Sequence, residues 1–410
     1  MLDPLTIERM RACDGPVLVA LSGGGDSVAL LHLLLAAFGA AHLRVGVVDH
    51  ALRDGSAEDA RRALGFAAAL GVQGEVLTLH WPNGPKAAQL AARAARYAAL
   101  CAYARTQRAT VIATAHSADD QAETVFMRAG AGSSWRGLAG IAPFAAAPLW
   151  PEGRELYVAR PLLGARREEL RAYLCDRGAD WIDDPANTNP RFERVRVRAR
   201  LAALATAGLD PMRFVAMAGR LRAHVDALDR DAAALIARAA TLDIGVSIVR
   251  AAWRGPALVR QRALAVLMAA AAGAAREAPL SQMADLELRV MGPDFQGSTH
   301  GGVLFQAHPK VVTLGRDPGA VLGRADGAQP APALPLPANQ TVIWDGRIAL
   351  TARAPGWRAV PDRNTALLSL EQAGRRAPLD AAAGDVAWRS LTAERVRHAF
   401  AAAVNAPQPL

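Results

Sequence analysis

Short apolar runs alternate with amphipathic stretches through the first 130 residues. Residues 16–21 (PVLVAL) form an apolar run ending in a glycine cluster, the pattern of a strand buried on both faces. Residues 26–38 then read as a helix, 43–48 as a second strand and 56–70 as a second helix. Residues 74–79 make a third strand, 89–105 an alanine-rich helix, 111–115 a fourth strand and 119–128 the helix after it. Strictly alternating strands and helices predict an α/β fold, a doubly wound parallel sheet with helices on both faces. From about 205 to 290 the strand signal fades. Residues 212–228, 231–240 and 256–272 read as helices with arginine on their exposed faces, and 303–305 with 311–314 as a small hairpin. Residues 318–340 are rich in Pro, Gly and Ala and read as a linker. Beyond them 341–344 is a clear strand. The expected organisation is therefore a catalytic domain at 1–205, a mostly helical basic domain at 206–317, a linker at 318–340 and a small α+β domain at 341–410.

Composition narrows the class. Of 410 residues 52% are hydrophobic, ample for buried cores, so wholesale disorder is excluded. No apolar run reaches the ~18 residues of a membrane span, and acids occupy the N-terminal segment where a signal peptide needs a basic start. Three cysteines (Cys13, Cys101, Cys175) form no CxxC pair, against a disulfide scaffold or zinc ribbon. A cytoplasmic protein without membrane association is expected. The net charge is +9 and is unevenly spread. Residues 1–190 hold 19 basic and 20 acidic side chains, whereas 191–262 hold 14 and 6. Uniform compositional bias does not predict that concentration. A polyanion partner such as nucleic acid does.

The strongest chemical signal is Ser22-Gly23-Gly24-Gly25-Asp26-Ser27, between the first strand and its helix. Three glycines let the backbone approach an anion closely, and the helix start offers N–H groups and a positive dipole end. Ser22 and Ser27 can donate to phosphate oxygens. Asp26 would repel phosphate unless a cation such as Mg2+ lies between. Walker A lysine and GxGxxG spacing are both absent. His50 follows the second strand and His116 the fourth. Loops at strand C-terminal ends line the crevice of a doubly wound sheet, so the glycine loop, His50 and His116 should converge. Ser117 is placed to cap a helix whose first turn carries Asp120, and Asp120 and Glu123 share a face at i, i+3. That acidic face suits Mg2+ or a cationic substrate; a charged, solvated helix start reads equally well from spacing alone. Arg93, Arg96 and Tyr97 share a face of the 89–105 helix. Arg194/Arg198 and Arg196/Arg200 form two stripes on nearly opposite faces of the next basic run.

The glycine string resembles the signature of the PP-loop ATP pyrophosphatase superfamily, whose adenine nucleotide α-hydrolase-like fold splits ATP between its α and β phosphates. The ordered strings VDHALR, ARAARY, TAHSADDQAET, RGLAGI, RPLL and WIDDPANTNPRFERVRVR are similar to those of the tRNA(Ile)-lysidine synthetase family, over most of residues 15–200. Two departures stand out: Ser117 replaces a second histidine, and the family's RGSG-like segment reads Ala129-Gly130-Ala131-Gly132. The resemblance implies a ligase that uses ATP and Mg2+ to join free L-lysine to carbon 2 of the wobble cytidine of tRNA(Ile) with a CAU anticodon. It implies ATP binding by Ser22 through Ser27 and Mg2+ on Asp26. It makes Asp26, His50, His116, Asp120 and Arg194 the catalytic candidates, and Asp120 with Glu123 the lysine pocket. Arg93, Arg96, Arg160 and Arg198 become tRNA contacts, and a homodimer is an expectation it carries without an interface signal in the sequence. Three rivals share parts of the pattern. A tRNA-thiolating PP-loop enzyme would use cysteines that no motif here contains. A GMP or NAD synthetase gives no reason for the basic segment. A non-catalytic RNA-binding protein on a degenerate nucleotide fold does not need an intact glycine loop.

Overall fold

The computed structural model describes all residues except 82–88, 184–190, 192, 275, 325–328, 365, 383 and 404–410. The chain divides into two compact units, Met1–Asp226 with residues 401–403, and Ala227–Phe400.

The first unit begins with α1 (Pro4–Arg11), capped by the Asp3 carboxylate, which accepts from the Thr6 N–H at 2.8 Å. There follow β1 (Val17–Ala20), α2 (Gly25–Phe38), β2 (Leu43–Asp49), α3 (Ser56–Ala69), β3 (Gly74–Thr78), α4 (Gln89–Thr106), β4 (Val111–Ala113), α5 (Ala118–Gly130) and the short α6 (Trp135–Leu138). Then come β5 (Phe144–Ala146), β6 (Tyr157–Ala159), α7 (Arg167–Cys175), α8 (Glu193–Thr206) and α9 (Met212–Ala239). The sheet order is β3-β2-β1-β4-β6-β5. All neighbours are parallel except β5 against β6. The expected doubly wound parallel sheet is therefore present. Strand order reverses between β1 and β4, which opens a crevice at their carboxyl ends. Strand residues alternate between two cores, as period 2 demands. Val17 and Val19 face the core built with Leu30, Leu31, Leu34 and Leu170. Leu18 and Ile112 face the opposite one, with Tyr97, Leu100 and Cys101 of α4. A third small core joins α5 to α8 through Ala122, Val197 and Leu201, with Met212 and Phe214 packed against it. That contact ties the first half of α9 to this unit.

In the second unit β7 (Ala240–Leu242), β8 (Val246–Val249), α10 (Ala257–Ala272), α11 (Met283–Met291), β9 (Gly297–His300), β10 (Val303–Ala307) and β11 (Val311–Arg316) give an antiparallel sheet of order β7-β8-β11-β10-β9. The expected hairpin is β10–β11, but a five-stranded sheet surrounds it in a region read as mostly helical. The predicted break near 229 does not occur. Asp229 is buried, but Arg262 neutralises it at 2.5 Å, so α9 continues through. The segment expected as a linker carries α12 (Pro318–Leu322) and β12 (Leu334–Leu336). Val321 and Leu336 enter the core of the strands that follow, so the proline- and alanine-rich composition marks an edge of a packed layer. These strands are β13 (Thr341–Trp344), β14 (Ile348–Ala352), β15 (Trp357–Pro361), β16 (Leu368–Gln372), β17 (Arg375–Pro378) and β18 (Val386–Ser390), closed by α13 (Thr392–Phe400). They form two sheets, β12-β15-β16-β17 and β13-β14-β18, around Trp344, Leu350, Trp357 and Leu370. Among the described residues no helix is long and apolar enough to cross a membrane.

Candidate active site

The loop after β1 is ordered from within. Gly23 has φ +84°, which favours glycine, and a Cβ there would lie 2.7 Å from Ile182 Cδ1, which would have to shift. Gly24 is the extended N-cap of α2. Ser27, expected as a phosphate donor, is buried. Its hydroxyl donates to the Gly24 carbonyl at 2.8 Å and accepts from the Ser22 N–H at 3.2 Å. Ser27 therefore shapes the loop, while Ser22 stays exposed. The Ile182 N–H donates to the Gly23 carbonyl at 2.9 Å, and Trp181 lies 3.7 Å from a Cβ built on Gly25, so residues 181–182 back the glycine turn. Residues 184–187 of the same motif lie outside the described residues.

Beside this loop is a cluster of carboxylates, each held by arginine. Asp26 leaves the first turn of α2 and meets Arg167 Nε at 3.1 Å. Burial pushes its pKa up, Arg167 opposes that, and Asp120 and Asp119 push it further up. On α5, Ser117 caps the helix. Its backbone N–H and its hydroxyl both donate to Asp120 Oδ2, at 2.9 and 3.1 Å. The other Asp120 oxygen faces Arg167 at 3.2 Å and Arg194 at 3.6 Å. Burial raises the Asp120 pKa, but the Ser117 N–H, Arg167, His116 and Arg194 outweigh it, and the net shift is downward. The Ser117 hydroxyl thus caps α5, and its backbone N–H helps to hold Asp120 ionised. Glu123, one helical turn on, is only 1% exposed. Its Oε1 meets Arg198 Nε at 2.6 Å, its Oε2 is buried with no hydrogen-bond partner, and burial raises its pKa despite Arg198. Arg194 and Arg198 thus form the inner stripe of α8, aligned to α5 by the Val197 and Leu201 contacts. Arg196 and Arg200 lie on the exposed side.

The opposite wall of the crevice is cationic. Arg160, expected as a tRNA contact, is 7% exposed at the end of β6. It donates to the Ala142 carbonyl at 2.7 Å, and its Nε is buried without a partner. The guanidiniums of Arg93 and Arg96 lie over the Tyr97 ring, 5.1 and 5.2 Å from its centroid. Among the described residues none of these three arginines has a carboxylate at ion-pair distance. His116 Nδ1 shares a hydrogen bond with Thr114 Oγ1 at 3.0 Å. Burial and then Arg160 push its pKa down to about 3, so it is neutral. Burial and Arg96 likewise lower the pKa of His50, whose Nδ1 is buried without a partner. The His50 loop is held by the Asp49 carboxylate, which accepts from Ala51 N–H at 2.9 Å and keeps Ala51 at φ +49°, a strained value for alanine.

The site residues read from the sequence therefore meet at one crevice, the Asp26, Asp120, Glu123, Arg194 and Arg198 group on one side and Arg93, Arg96, Arg160, His50 and His116 on the other. The arrangement can receive a polyanion against a cationic wall beside carboxylates able to hold a cation. The PP-loop domain family matches residues 7–205. Over 341 residues the chain is 38% identical to the tRNA(Ile)-lysidine synthase of Hyphomonas neptunium, spanning 81% of this chain and 88% of that one. The chain belongs to the tRNA(Ile)-lysidine synthase family. The family member from Rhizobium meliloti is 33% identical over 363 residues, 84% of this chain and 75% of its own. That from Ruegeria pomeroyi is 42% identical over 213 residues, 52% of this chain and 49% of its own. The chain is accordingly an enzyme with an ATP-using PP-loop domain, and the thiolating and non-catalytic alternatives are not favoured.

Arg167 escaped the sequence reading, although a signal for it exists. Arg166 and Arg167 start α7, where the helix dipole disfavours cations. A cation in that position points to carboxylates nearby.

Proposed function

We propose that the crevice adenylates the wobble cytidine of tRNA(Ile) with a CAU anticodon and then joins free L-lysine to its carbon 2, forming lysidine. The observation that carries this reading is the juxtaposition of an arginine wall, which has no carboxylate at ion-pair distance among the described residues, with the buried pair Asp120 and Glu123. ATP phosphates meet the glycine loop and the Arg93, Arg96 and Arg160 wall. The cytosine O2 attacks the α phosphorus, the bond to the bridging oxygen breaks, and pyrophosphate leaves. The lysine ε-amine then attacks carbon 2, the C2–O bond breaks, and AMP leaves. Glu123, its pKa raised by burial, accepts the ammonium proton, while Asp120 stays anionic and orients the amine. Neutral His50 and His116 offer hydrogen bonds to the base or the ribose without adding charge.

Among the described residues no three metal-binding side chains form a ready cage. A Mg2+ bridging phosphates needs only one or two carboxylates, with waters and phosphate oxygens completing its shell, and Asp26 beside the loop fits that demand. Such an ion, when bound, offsets charge on the leaving pyrophosphate.

The arginines of 191–262 also divide by task. Arg198, Arg222 and Arg262 are held by internal carboxylates and Arg194, though exposed, reaches Asp120. Arg196, Arg200, Arg213, Arg220 and Arg230 are instead exposed, the last four with no carboxylate at ion-pair distance among the described residues. We assign phosphate contacts with the tRNA body to this exposed set within the 206–317 region and its flank, and tRNA recognition to residues beyond 341. Cytoplasmic location and a homodimer belong to the same reading. The test supplies ATP, labelled lysine and bulk bacterial tRNA. Label in a single isoleucine tRNA is expected. ATP cleavage without transfer to any tRNA would overturn the assignment.

A further inference from the structure

Arg167 makes three contacts that the proposed chemistry cannot leave in place. Its Nε lies 3.1 Å from Asp26, one Nη 3.2 Å from Asp120, and the other 3.8 Å from Glu123. Its own backbone N–H donates to Asp119 at 2.8 Å, which anchors the start of α7 independently of the side chain. One guanidinium thus neutralises the three carboxylates to which the reaction assigns a metal ion and the lysine amine. Without it, three acids crowded into a buried pocket would repel one another.

The pocket also carries an unfilled acceptor. Both Arg198 and Arg167 approach Glu123 through Oε1, and the buried Oε2 has no partner. A planar guanidinium does not reach it here. A compact ammonium with three donors entering the same pocket has an acceptor waiting.

We propose that Arg167 is a resident counter-ion standing where the substrate ammonium binds, and that it competes with free lysine for Asp120 and Glu123 and so sets the enzyme's affinity for lysine. The inference rests on the reading that those two carboxylates receive lysine. Arg167 keeps the acids charged in the empty enzyme and swings aside as lysine enters. Its side chain is 21% exposed and so has a route to solvent. Arg194 and Arg198 remain as the fixed partners of Asp120 and Glu123.

A site filled nine-tenths of the time by its own side chain binds an outside ligand about 10-fold more weakly than its intrinsic affinity. Calorimetric titration of free lysine into the nucleotide-free full chain reads this directly. R167Q should bind lysine about 10-fold more tightly than wild type. R167K, which keeps a cation in place, should stay within about 3-fold of wild type. E123Q should lose at least about 10-fold. Should R167Q fail to fold, R167M measures the same quantity. Unchanged or weaker lysine binding in R167Q or R167M, with E123Q still impaired, overturns the competition. Equal affinities of R167K and R167Q overturn it too. If E123Q and D120N both bind lysine as wild type does, the pocket assignment itself falls, a result distinct from failure of the competition alone.

Discussion

Arg262 and Arg160 are both almost wholly buried, yet they are held in opposite ways. Arg262, in the second unit, has Asp229 on Nε at 2.5 Å and Glu277 on Nη1. Arg347, in the same unit, is 1% exposed and meets Asp345 at 2.8 Å. Arg160, in the first unit, has a carbonyl, the Tyr97 side chain, an unpartnered Nε and the charges of Arg93 and Arg222 around it, with no carboxylate at ion-pair distance among the described residues. A buried ion pair roughly breaks even against apolar packing, whereas an uncompensated buried charge costs several kcal/mol. Arg262 and Arg347 are thus neutralised by carboxylates of their own unit, as cations that serve the fold. The first unit leaves its cations open on one wall and neutralises every carboxylate on the other. That asymmetry distinguishes a scaffold from a site that waits for a polyanion.

Breaking one side of each arrangement should separate the two. Replacing both of its acids, Asp229→Ala with Glu277→Ala, strands Arg262 and should cost about 3–5 kcal/mol, read from urea unfolding. Arg160→Met loses the hydrogen bond to Ala142 and the interaction with Tyr97 but removes a buried cation that has no carboxylate at ion-pair distance, so stability should change by less than about 1.5 kcal/mol. Nucleotide affinity of Arg160→Met should nevertheless fall at least about 10-fold, as expected for losing a charge-assisted phosphate contact. Equal destabilisation in the two variants would erase the distinction drawn between the regions.

A smaller effect sharpens it. The fold keeps His116 neutral down to about 3, whereas the unfolded chain takes up that proton near 6.5. Between those values the unfolded state binds more protons, so stability falls as pH drops through the window. This group contributes at most about 1.4 kcal/mol per pH unit. In His116→Gln the stability–pH curve from 6.5 to 4 should be correspondingly flatter. An unchanged slope would mean that the cationic wall does not suppress the charge on His116.

Much of the site could be read in the sequence because its motifs directly follow strands. The glycine loop, His50, His116 and Arg160 come after β1, β2, β4 and β6, and parallel strands deliver all four to one edge of the sheet. Arg194 and Arg198 were legible as a stripe, though only the packing of α8 on α5 shows that it faces Asp120 and Glu123. Arg167 was hidden because its meaning depends on residues more than forty positions away. Ser117 was legible as the cap of α5, and the structure adds that its N–H and hydroxyl both donate to Asp120. The strands β12 to β18 were mostly missed for a different reason. They are short and carry alanine and arginine, and pairing with distant partners overrides weak local propensity.

The proposed function requires the crevice beside the glycine loop to activate ATP with Asp26 in the working position. Pyrophosphate release from ATP in the presence of bulk bacterial tRNA, compared between wild type and Asp26→Asn with tRNA binding measured alongside, tests it most directly. The account predicts release reduced by at least about 100-fold with tRNA affinity essentially unchanged. Undiminished pyrophosphate release from Asp26→Asn would contradict it.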